Sequence, residues 1–244
     1  MKSTPMLMSG PLVVPTLADL KTHTCRPVML PRSYEHDEVY SAFVDGAVAT
    51  LSCDPGPHRQ VRCPFGTVGD RIWIRETWRL TDFASYGHDR YSAAVEMRAD
   101  NARPFRKEGG PEMLNEYTGW RPSIHMPRWA SRLTLEITDL SVFRVQDITE
   151  ETARREGLPR NWSDDSGDGW DPEEHGYLTP AGFFGEDTGD DCPECMCMWK
   201  GKRSVGVVYS AREAFQVWWS HIYGAGSWAA NPWVWGIGFK RVQE

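Results

Sequence analysis

Segments with regular apolar spacing alternate with long polar segments along this chain of 244 residues. Apolar residues recur at steps of three and four over residues 12–20, which predicts a short amphipathic helix. Pro27 disfavours helical geometry in the residue before it, so this helix should end within residues 21–27. The same spacing over Ala211–Tyr223, followed by Gly224, predicts a second helix.

Strands are predicted where polar and apolar residues alternate. Residues 71–78 and 132–139 both show this alternation, and the second strand should continue, with a bend, to residue 145. Apolar runs at residues 6–8 and 233–239 predict two further strands. Strands and helices are therefore mixed along the chain, which predicts an α+β fold.

A third helix is predicted over residues 148–156. Asp147 followed by Glu150 has the spacing of a capping box, and Gly157 is a suitable C-terminal stop. Glu156 falls in the last turn, where the helix dipole disfavours a carboxylate by about a few tenths of a kcal/mol. A residue placed against its local preference is a pointer to function.

The segments between these elements are polar and rich in glycine, proline and aspartate. They lack the periodicity of helices or half-buried strands, which indicates loops and excursions from a common core. We therefore expect one domain over residues 1–244 with large polar insertions, at about residues 27–62, 81–122 and 159–209.

Composition limits the classes of partner. The 27 basic and 34 acidic residues give a net charge of −7, which argues against broad contact with a phosphate backbone but permits binding of a single base. No window reaches the roughly 18 apolar residues of a membrane span, and the N-terminus lacks the apolar run of a signal peptide. We therefore expect a cytoplasmic protein with no membrane partner. Several of the 12 tryptophans lie in polar stretches, where their rings could stack on a base.

Lys21 and Thr24 lie where the first helix should end. Their spacing of three lets an ammonium and a hydroxyl reach one small volume. The structural alternative is that Lys21 neutralises the C-terminus of the helix and that a polar turn follows.

These residues resemble the signature of the ASCH family, a branch of the PUA-like β-barrels, whose usual form is Gly-x-Lys-x-x-Glu-x-Arg. Lys21 and Arg26 match it, while Asp19 stands in place of the glycine and Thr24 in place of the glutamate. The small amidohydrolases of this family that act on N4-acetylcytidine are similar here, with lysine and threonine at these two places. Their third functional residue, a glutamate, corresponds to Glu156.

The whole chain also resembles larger ASCH/PUA-like proteins of tailed phages and prophages, which are mostly uncharacterised or called morphogenetic. The shared stretches are residues 63–66, 69–78, 123–130 and 231–235. This resemblance implies a PUA-like (ASCH) β-barrel with flanking helices, located in the host cytoplasm if the protein is phage-encoded.

The amidohydrolase resemblance implies removal of an acyl group from the exocyclic amine of an N4-acylcytosine nucleoside or nucleotide, with no cofactor. Thr24 would attack the acyl carbonyl, Lys21 would activate Thr24, and Glu156 would carry protons. The nucleoside or modified nucleobase could be free or part of RNA or DNA. Two other classes remain open, a non-catalytic reader of RNA or of a modified base, and a phage morphogenesis or assembly factor.

The same resemblance implies that Trp73, Arg75, Glu76 and Trp129 hold the base by stacking and by hydrogen bonds to its edge. Trp73 and Arg75 share one face of the predicted strand over residues 71–78. That face could line a cavity, or it could be a solvated outer face.

A second group of candidate binding residues lies in a loop whose conformation two prolines restrict. His125, Arg128 and Trp129 could recognise a base or a phosphate there, although a lone histidine is more often structural. Arg26 would either bind a phosphate or neutralise Glu156.

Cys192, Cys195 and Cys197 form a C-x-x-C-x-C cluster. In a cytoplasmic chain this spacing fits metal ligation better than a disulfide, and it predicts a structural zinc. Unligated thiols in a loop are the alternative. Tetrahedral zinc needs a fourth ligand, for which the chain offers His175, Cys63 and His58.

Overall fold

The computed structural model describes residues 1–30, 39–53, 56–85, 91–100, 105–108, 119–159, 176–178, 198–199, 202–203 and 207–242. The helices in these ranges are α1 (Gly10–Leu17), α2 (Glu150–Arg155) and α3 (Ala211–Tyr223). The strands are β1 (Ser3–Leu7), β2 (His23–Pro27), β3 (Val39–Asp45), β4 (Val48–Cys53), β5 (Arg59–Arg62), β6 (Arg71–Arg75), β7 (Trp78–Ser85), β8 (Tyr91–Met97), β9 (Phe105–Glu108), β10 (Thr134–Arg144), β11 (Tyr177–Leu178), β12 (Met198–Trp199), β13 (Lys202–Arg203), β14 (Val207–Val208) and β15 (Trp233–Val242).

Five strands form the main sheet, in the order β1-β6-β10-β15-β2. β1 is parallel to β6, and the other neighbouring pairs are antiparallel. A bulge between Ile137 and Asp139 interrupts the regular pairing of β10 with β15, near the predicted bend. β15 is buried from Trp233 to Phe239, as expected for an inner strand covered on both faces. The mixed α+β class is thus confirmed, with strands more numerous than helices.

Backbone hydrogen bonds do not close the main sheet into a barrel within the described residues. β1 and β2 remain its two edges. Arg26 Nη2 nevertheless donates to the Leu7 carbonyl at 2.8 Å. One side chain of β2 therefore reaches the last residue of β1, so the two edges lie close together at this end.

The first helix ends earlier than its apolar spacing predicts. α1 stops at Leu17, and Asp19 takes a positive φ of 57°, a left-handed conformation that is incompatible with a continuing helix. Lys21 therefore follows the helix, and Thr24 lies on strand β2, where it is paired with Ile237. The prediction that a helix end brings Lys21 and Thr24 together is wrong, because pairing with β15 draws this segment into the sheet.

The helix that carries Glu156 forms close to its predicted position. Thr149 caps it, since the Thr149 hydroxyl accepts from the Thr152 backbone N–H at 3.1 Å. The predicted cap, Asp147, lies instead in a short 3₁₀ turn. Gly157 ends the helix with a φ of +62°, as predicted from its lack of a side chain.

The bounds of α3 agree with the prediction. Its first turn is held by α2, because the Glu150 carboxylate accepts from the backbone N–H groups of Ala211 at 2.7 Å and Arg212 at 3.1 Å. This contact fixes the apolar face of α3 beside α2. Among the described helices, none is long and apolar enough to cross a membrane.

Part of the first predicted insertion contributes to the main core. β3, β4 and β5 form an antiparallel sheet, and Val39, Leu51 and Cys53 are buried with the main core. Every second residue of β4 is buried, namely Ala49, Leu51 and Cys53, and one of these three is an alanine. Because small residues are among the buried positions, the buried and exposed residues of β4 differ little in hydrophobicity. The alternation is therefore hard to recognise in the sequence.

The second predicted insertion contains β8, β9 and most of β7, which form an antiparallel sheet. A smaller cluster, separate from the main core, combines buried residues of β7 and β8 with two from the later segment around Pro127: Trp78, Leu80, Val95, Met97, Met126 and Ala130. Satellite clusters of this kind are common within one domain. The single domain over residues 1–244 stays a prediction.

Replacing Leu135 by alanine should lower the free energy of unfolding by about 2–5 kcal/mol, because Leu135 is fully buried on β10 between β6 and β15. Chemical denaturation measures this change. Leu20→Ala is the matched control, since Leu20 is 40% exposed and its truncation should cost less than about 0.5 kcal/mol. Equal losses for the two variants would show that the core is misplaced.

Candidate active site around Lys21 and Glu156

Lys21 is buried at the junction of α1 and β2, with only 1% of its surface exposed. Lys21 can occupy this position only because residue 157 is a glycine. A side chain on Gly157 would place its Cβ 2.8 Å from Lys21 Cα, which is closer than carbon atoms can approach. Gly157 therefore serves two needs, the positive φ that ends α2 and the close approach of Lys21.

The Lys21 ammonium donates three hydrogen bonds, which is its full capacity. Its acceptors are the His23 carbonyl at 2.8 Å, the Glu156 carbonyl at 2.7 Å and Glu156 Oε2 at 2.6 Å. Glu156 is the C-cap residue of α2. Lys21 thus neutralises the C-terminus of helix α2. It does not neutralise the C-terminus of α1, the helix that precedes it in the chain.

Burial and charge act in opposite directions on this pair. Burial lowers the pKa of Lys21, and the Glu156 carboxylate opposes this shift. Burial alone would raise the pKa of Glu156, but Lys21 and His23 outweigh it and lower the pKa to about 2. Three satisfied ammonium donors, one of them at 2.6 Å from the carboxylate, favour the ionised pair at neutral pH.

His23 and Cys25 complete the surroundings of the Glu156 carboxylate. Both lie on the same face of β2, because alternate residues of a strand point the same way. His23 Nδ1 is 3.2 Å from Glu156 Oε1. Burial raises the pKa of the Cys25 thiol well above its usual range, and the charge of Glu156 and a hydrogen bond to it add to this effect. Cys25 is therefore a protonated thiol and not an activated nucleophile.

A small, partly open pocket with a volume of about 40 Å³ lies against this cluster. Thr24, Arg26 and Glu156 contribute its polar wall, whereas Lys21 lies behind Glu156 and does not line it. Thr24 is only 3% exposed. The other wall is mostly apolar and comes mainly from α3, with Phe215, Trp218, Trp219, Ile222 and Tyr223.

The sequence-predicted catalytic residues are thus brought together in part. Lys21 contacts Glu156, and Thr24 shares the pocket with Glu156. Arg26 also lines this pocket, and its guanidinium hydrogen-bonds to the Leu7 carbonyl and to the Tyr223 hydroxyl. Lys21 is the cation that pairs with the Glu156 carboxylate.

The six other predicted binding residues do not line this pocket. Trp73, Arg75 and Arg128 form a cluster of their own, in which the two guanidinium carbons lie 4.7 and 6.0 Å from the Trp73 ring centre. Glu76 accepts two hydrogen bonds from Arg132, at 2.9 and 2.8 Å. Their roles in binding stay predictions.

His125 and Trp129 lie in the two 3₁₀ turns that follow Pro122 and Pro127. His125 is exposed, whereas the Trp129 ring packs edge-on against Trp78 with ring centres 6.0 Å apart. Packing against the smaller hydrophobic cluster is a structural role for Trp129.

Sequence reasoning missed His23, Cys25 and the aromatic face of α3. The segment over residues 23–27 is too short and too polar to stand out as a strand, so the shared face of His23 and Cys25 was not visible. The aromatic residues of α3 fit the pattern of a buried helix face. That pattern is the same whether the face packs into the core or lines a pocket.

The predicted zinc cluster at Cys192, Cys195 and Cys197 lies outside the described residues, and so does His175. Of the two other proposed fourth ligands, Cys63 is a buried free thiol and His58 is exposed. The prediction of a structural zinc at this cluster is therefore untested.

Stability should fall in acid, because the Glu156 carboxylate has a lower pKa in the folded chain than its ordinary value of 4.5. The stabilisation from its ionisation is complete above about pH 4.5 and is lost as pH falls towards 2, on the order of 3 kcal/mol at about 1.4 kcal/mol per pKa unit. Urea unfolding between pH 6 and pH 3 should show roughly 2 kcal/mol of this loss, because the carboxylate is still mostly ionised in the folded chain at pH 3. Glu156→Gln should be less stable at pH 6 and should lose less stability on acidification.

Glu136→Gln is the control for this measurement. Glu136 is a partly exposed carboxylate that pairs with Lys240 at 2.9 Å, and such surface pairs contribute little. This variant should keep the acid dependence of the parent protein. If Glu156→Gln follows the parent curve as well, the buried pair is not the source of the pH dependence.

No family model matches the chain, and no match was found among curated proteins or among solved structures. The resemblance to the ASCH family is therefore a prediction from the motif residues, and the site described above is the independent observation against which it can be tested.

Proposed function

We propose that this protein is an amidohydrolase that removes the acyl group from an N4-acylcytosine nucleoside or nucleotide. The observation that carries the proposal is the shared position of Thr24 and Glu156 on one partly aromatic pocket, with Lys21 2.6 Å behind the carboxylate. A hydroxyl, a carboxylate and a lysine in this arrangement are the groups that acyl transfer requires. The Trp and Phe rings of α3 offer faces on which a pyrimidine can stack.

The resting arrangement has to change before Thr24 can react. All three hydrogens of the Lys21 ammonium are donated, so its nitrogen has no free electron pair. The 2.6 Å hydrogen bond provides a route, since transfer of one proton from Lys21 Nζ to Glu156 Oε2 leaves a neutral amine beside a protonated carboxyl group. The lowered pKa of Lys21 favours this transfer, whereas the pKa of Glu156, lowered to about 2, opposes it.

The chemical steps follow from that proton transfer. As the Thr24 oxygen bonds to the acyl carbon, its proton passes to the Lys21 amine, which requires Lys21 to move from behind Glu156 into reach of Thr24. The carbon–nitrogen bond then breaks, and the leaving amine takes the proton held by Glu156. Water hydrolyses the resulting Thr24 ester and returns the acyl group as a carboxylic acid.

The finer fold assignment belongs to the same proposal. We propose that the main sheet is the PUA-like β-barrel of the ASCH family, which Arg26 would bridge where backbone hydrogen bonds do not. The support is the hydrogen bond from Arg26 on β2 to Leu7 on β1. The expected partner is a nucleoside or modified nucleobase, free or within RNA or DNA, in the cytoplasm.

One observation favours a second candidate, a non-catalytic reader that uses the same pocket. A fully hydrogen-bonded Lys21 is also what a purely structural cap of α2 would look like. In that case the pocket would bind a modified base through stacking and through Thr24 without turnover. The two candidates differ in what Thr24 does.

Thr24 is the residue that separates these candidates, because breaking the buried Lys21–Glu156 pair would itself cost about 3–5 kcal/mol of stability. Thr24→Val keeps the shape and removes the hydroxyl, so it should reduce cytidine release from N4-acetylcytidine by roughly 10²-fold or more. Thr24→Ser keeps a hydroxyl and should retain measurable activity. Chromatography of the released cytidine measures both rates, and melting temperatures confirm folding.

A reader gives a different result in the same experiment. The parent protein would release no cytidine, yet N4-acetylcytidine would raise its melting temperature. That outcome would replace the amidohydrolase proposal by the reader.

A further inference from the structure

The His23, Cys25 and Glu156 side chains offer one ligand atom each, and these three atoms lie within 4.8 Å of one another. All three residues are buried. Imidazole nitrogen, thiolate sulfur and carboxylate oxygen are the donor types that zinc binds in proteins. From this juxtaposition we propose that His23, Cys25 and Glu156 form a zinc site with three protein ligands, distinct from the predicted cysteine cluster.

The spacing of the first two ligands suits a tetrahedral ion. His23 Nδ1 and Glu156 Oε1 are 3.2 Å apart. Two ligands at about 2.0–2.1 Å from a tetrahedral zinc are roughly 3.3 Å from each other. An ion can therefore replace the hydrogen between these two atoms with little movement of either side chain. The Cys25 sulfur has to approach, and its place two residues after His23 on the same strand face allows this.

The Lys21 ammonium is compatible with this ion because it uses the other oxygen of the carboxylate. Lys21 binds Glu156 Oε2, whereas the oxygen that faces His23 is Oε1. A carboxylate that binds a metal through one oxygen and accepts a hydrogen bond on the other is the usual outer support of a metal ligand. Lys21 would hold the carboxylate in place.

The charges also permit the site. Zinc brings two positive charges, Lys21 adds one, and Glu156 and a Cys25 thiolate supply two negative charges. Binding requires the thiol of Cys25 to release its proton, which a coordinated metal promotes even where burial and Glu156 oppose it. One positive charge is then left for an anionic fourth ligand.

The pocket gives that fourth ligand access. Cys25 and Glu156 both line it, so a hydroxide or a small carboxylate in the pocket can reach the ion. Three protein ligands with one open position are typical of reactive rather than structural zinc sites. The zinc site does not depend on the proposed hydrolysis, and zinc on Glu156 would prevent this residue from carrying the proton.

Cobalt titration of the full chain tests the site directly, because Co²⁺ replaces Zn²⁺ and gives a near-ultraviolet charge-transfer band when a thiolate binds it. The background protein carries Cys192→Ser, Cys195→Ser and Cys197→Ser and is stripped of metal with a chelator. We expect one equivalent of Co²⁺ to produce the thiolate band. Adding Cys25→Ser should remove the band.

Cys53→Ser and Cys63→Ser are the matched controls, since both thiols are buried and free but lie outside the cluster. Each should leave the band unchanged. X-ray absorption of the zinc-loaded background protein provides a readout without any change at Cys25 and should report one sulfur at about 2.3 Å with nitrogen and oxygen ligands at about 2.0 Å. Absence of the thiolate band in the background protein, or its persistence in Cys25→Ser, would overturn the proposal.

Discussion

The buried ion pair of Lys21 and Glu156 is the contact on which the arrangement of this site depends. A charged group without a partner is expensive to bury, so each of the two residues is acceptable in the interior only because the other is present. The pair also joins distant parts of the chain, since 135 residues separate its members. It ties the start of β2 to the end of α2 and thereby places the edge of the main sheet against the helices.

Two further contacts follow from this constraint. Gly157 has no side chain, and only this absence lets Lys21 lie against the end of α2. At the other end of α2, Glu150 holds the first turn of α3 through two backbone N–H groups. One helix of six residues therefore positions both the buried lysine and the aromatic helix that forms the opposite wall of the pocket.

The carboxylate of Glu156 is shared among several neighbours, which makes the cluster chemically versatile. Lys21 binds one oxygen and His23 the other, while Cys25 lies beside them. A proton and a metal ion would compete for the same oxygen atoms. The proposed acyl transfer and the proposed zinc site are therefore alternative uses of one carboxylate, and the Thr24 hydroxyl takes part only in the first.

The sequence by itself determined the elements whose apolar period is strong, such as β10, β15 and the whole of α3, and it also identified Glu156 as a carboxylate placed against its helix dipole. It could not determine what Lys21 contacts, because a cation suits any helix C-terminus and only the fold decided that this terminus belongs to α2. It also assigned residues 21–27 to a helix end, whereas a left-handed Asp19 and pairing with β15 made them a strand. The meeting of His23, Cys25 and Glu156 was likewise decided by tertiary structure, since strand pairing and helix packing bring together residues that local sequence patterns cannot connect.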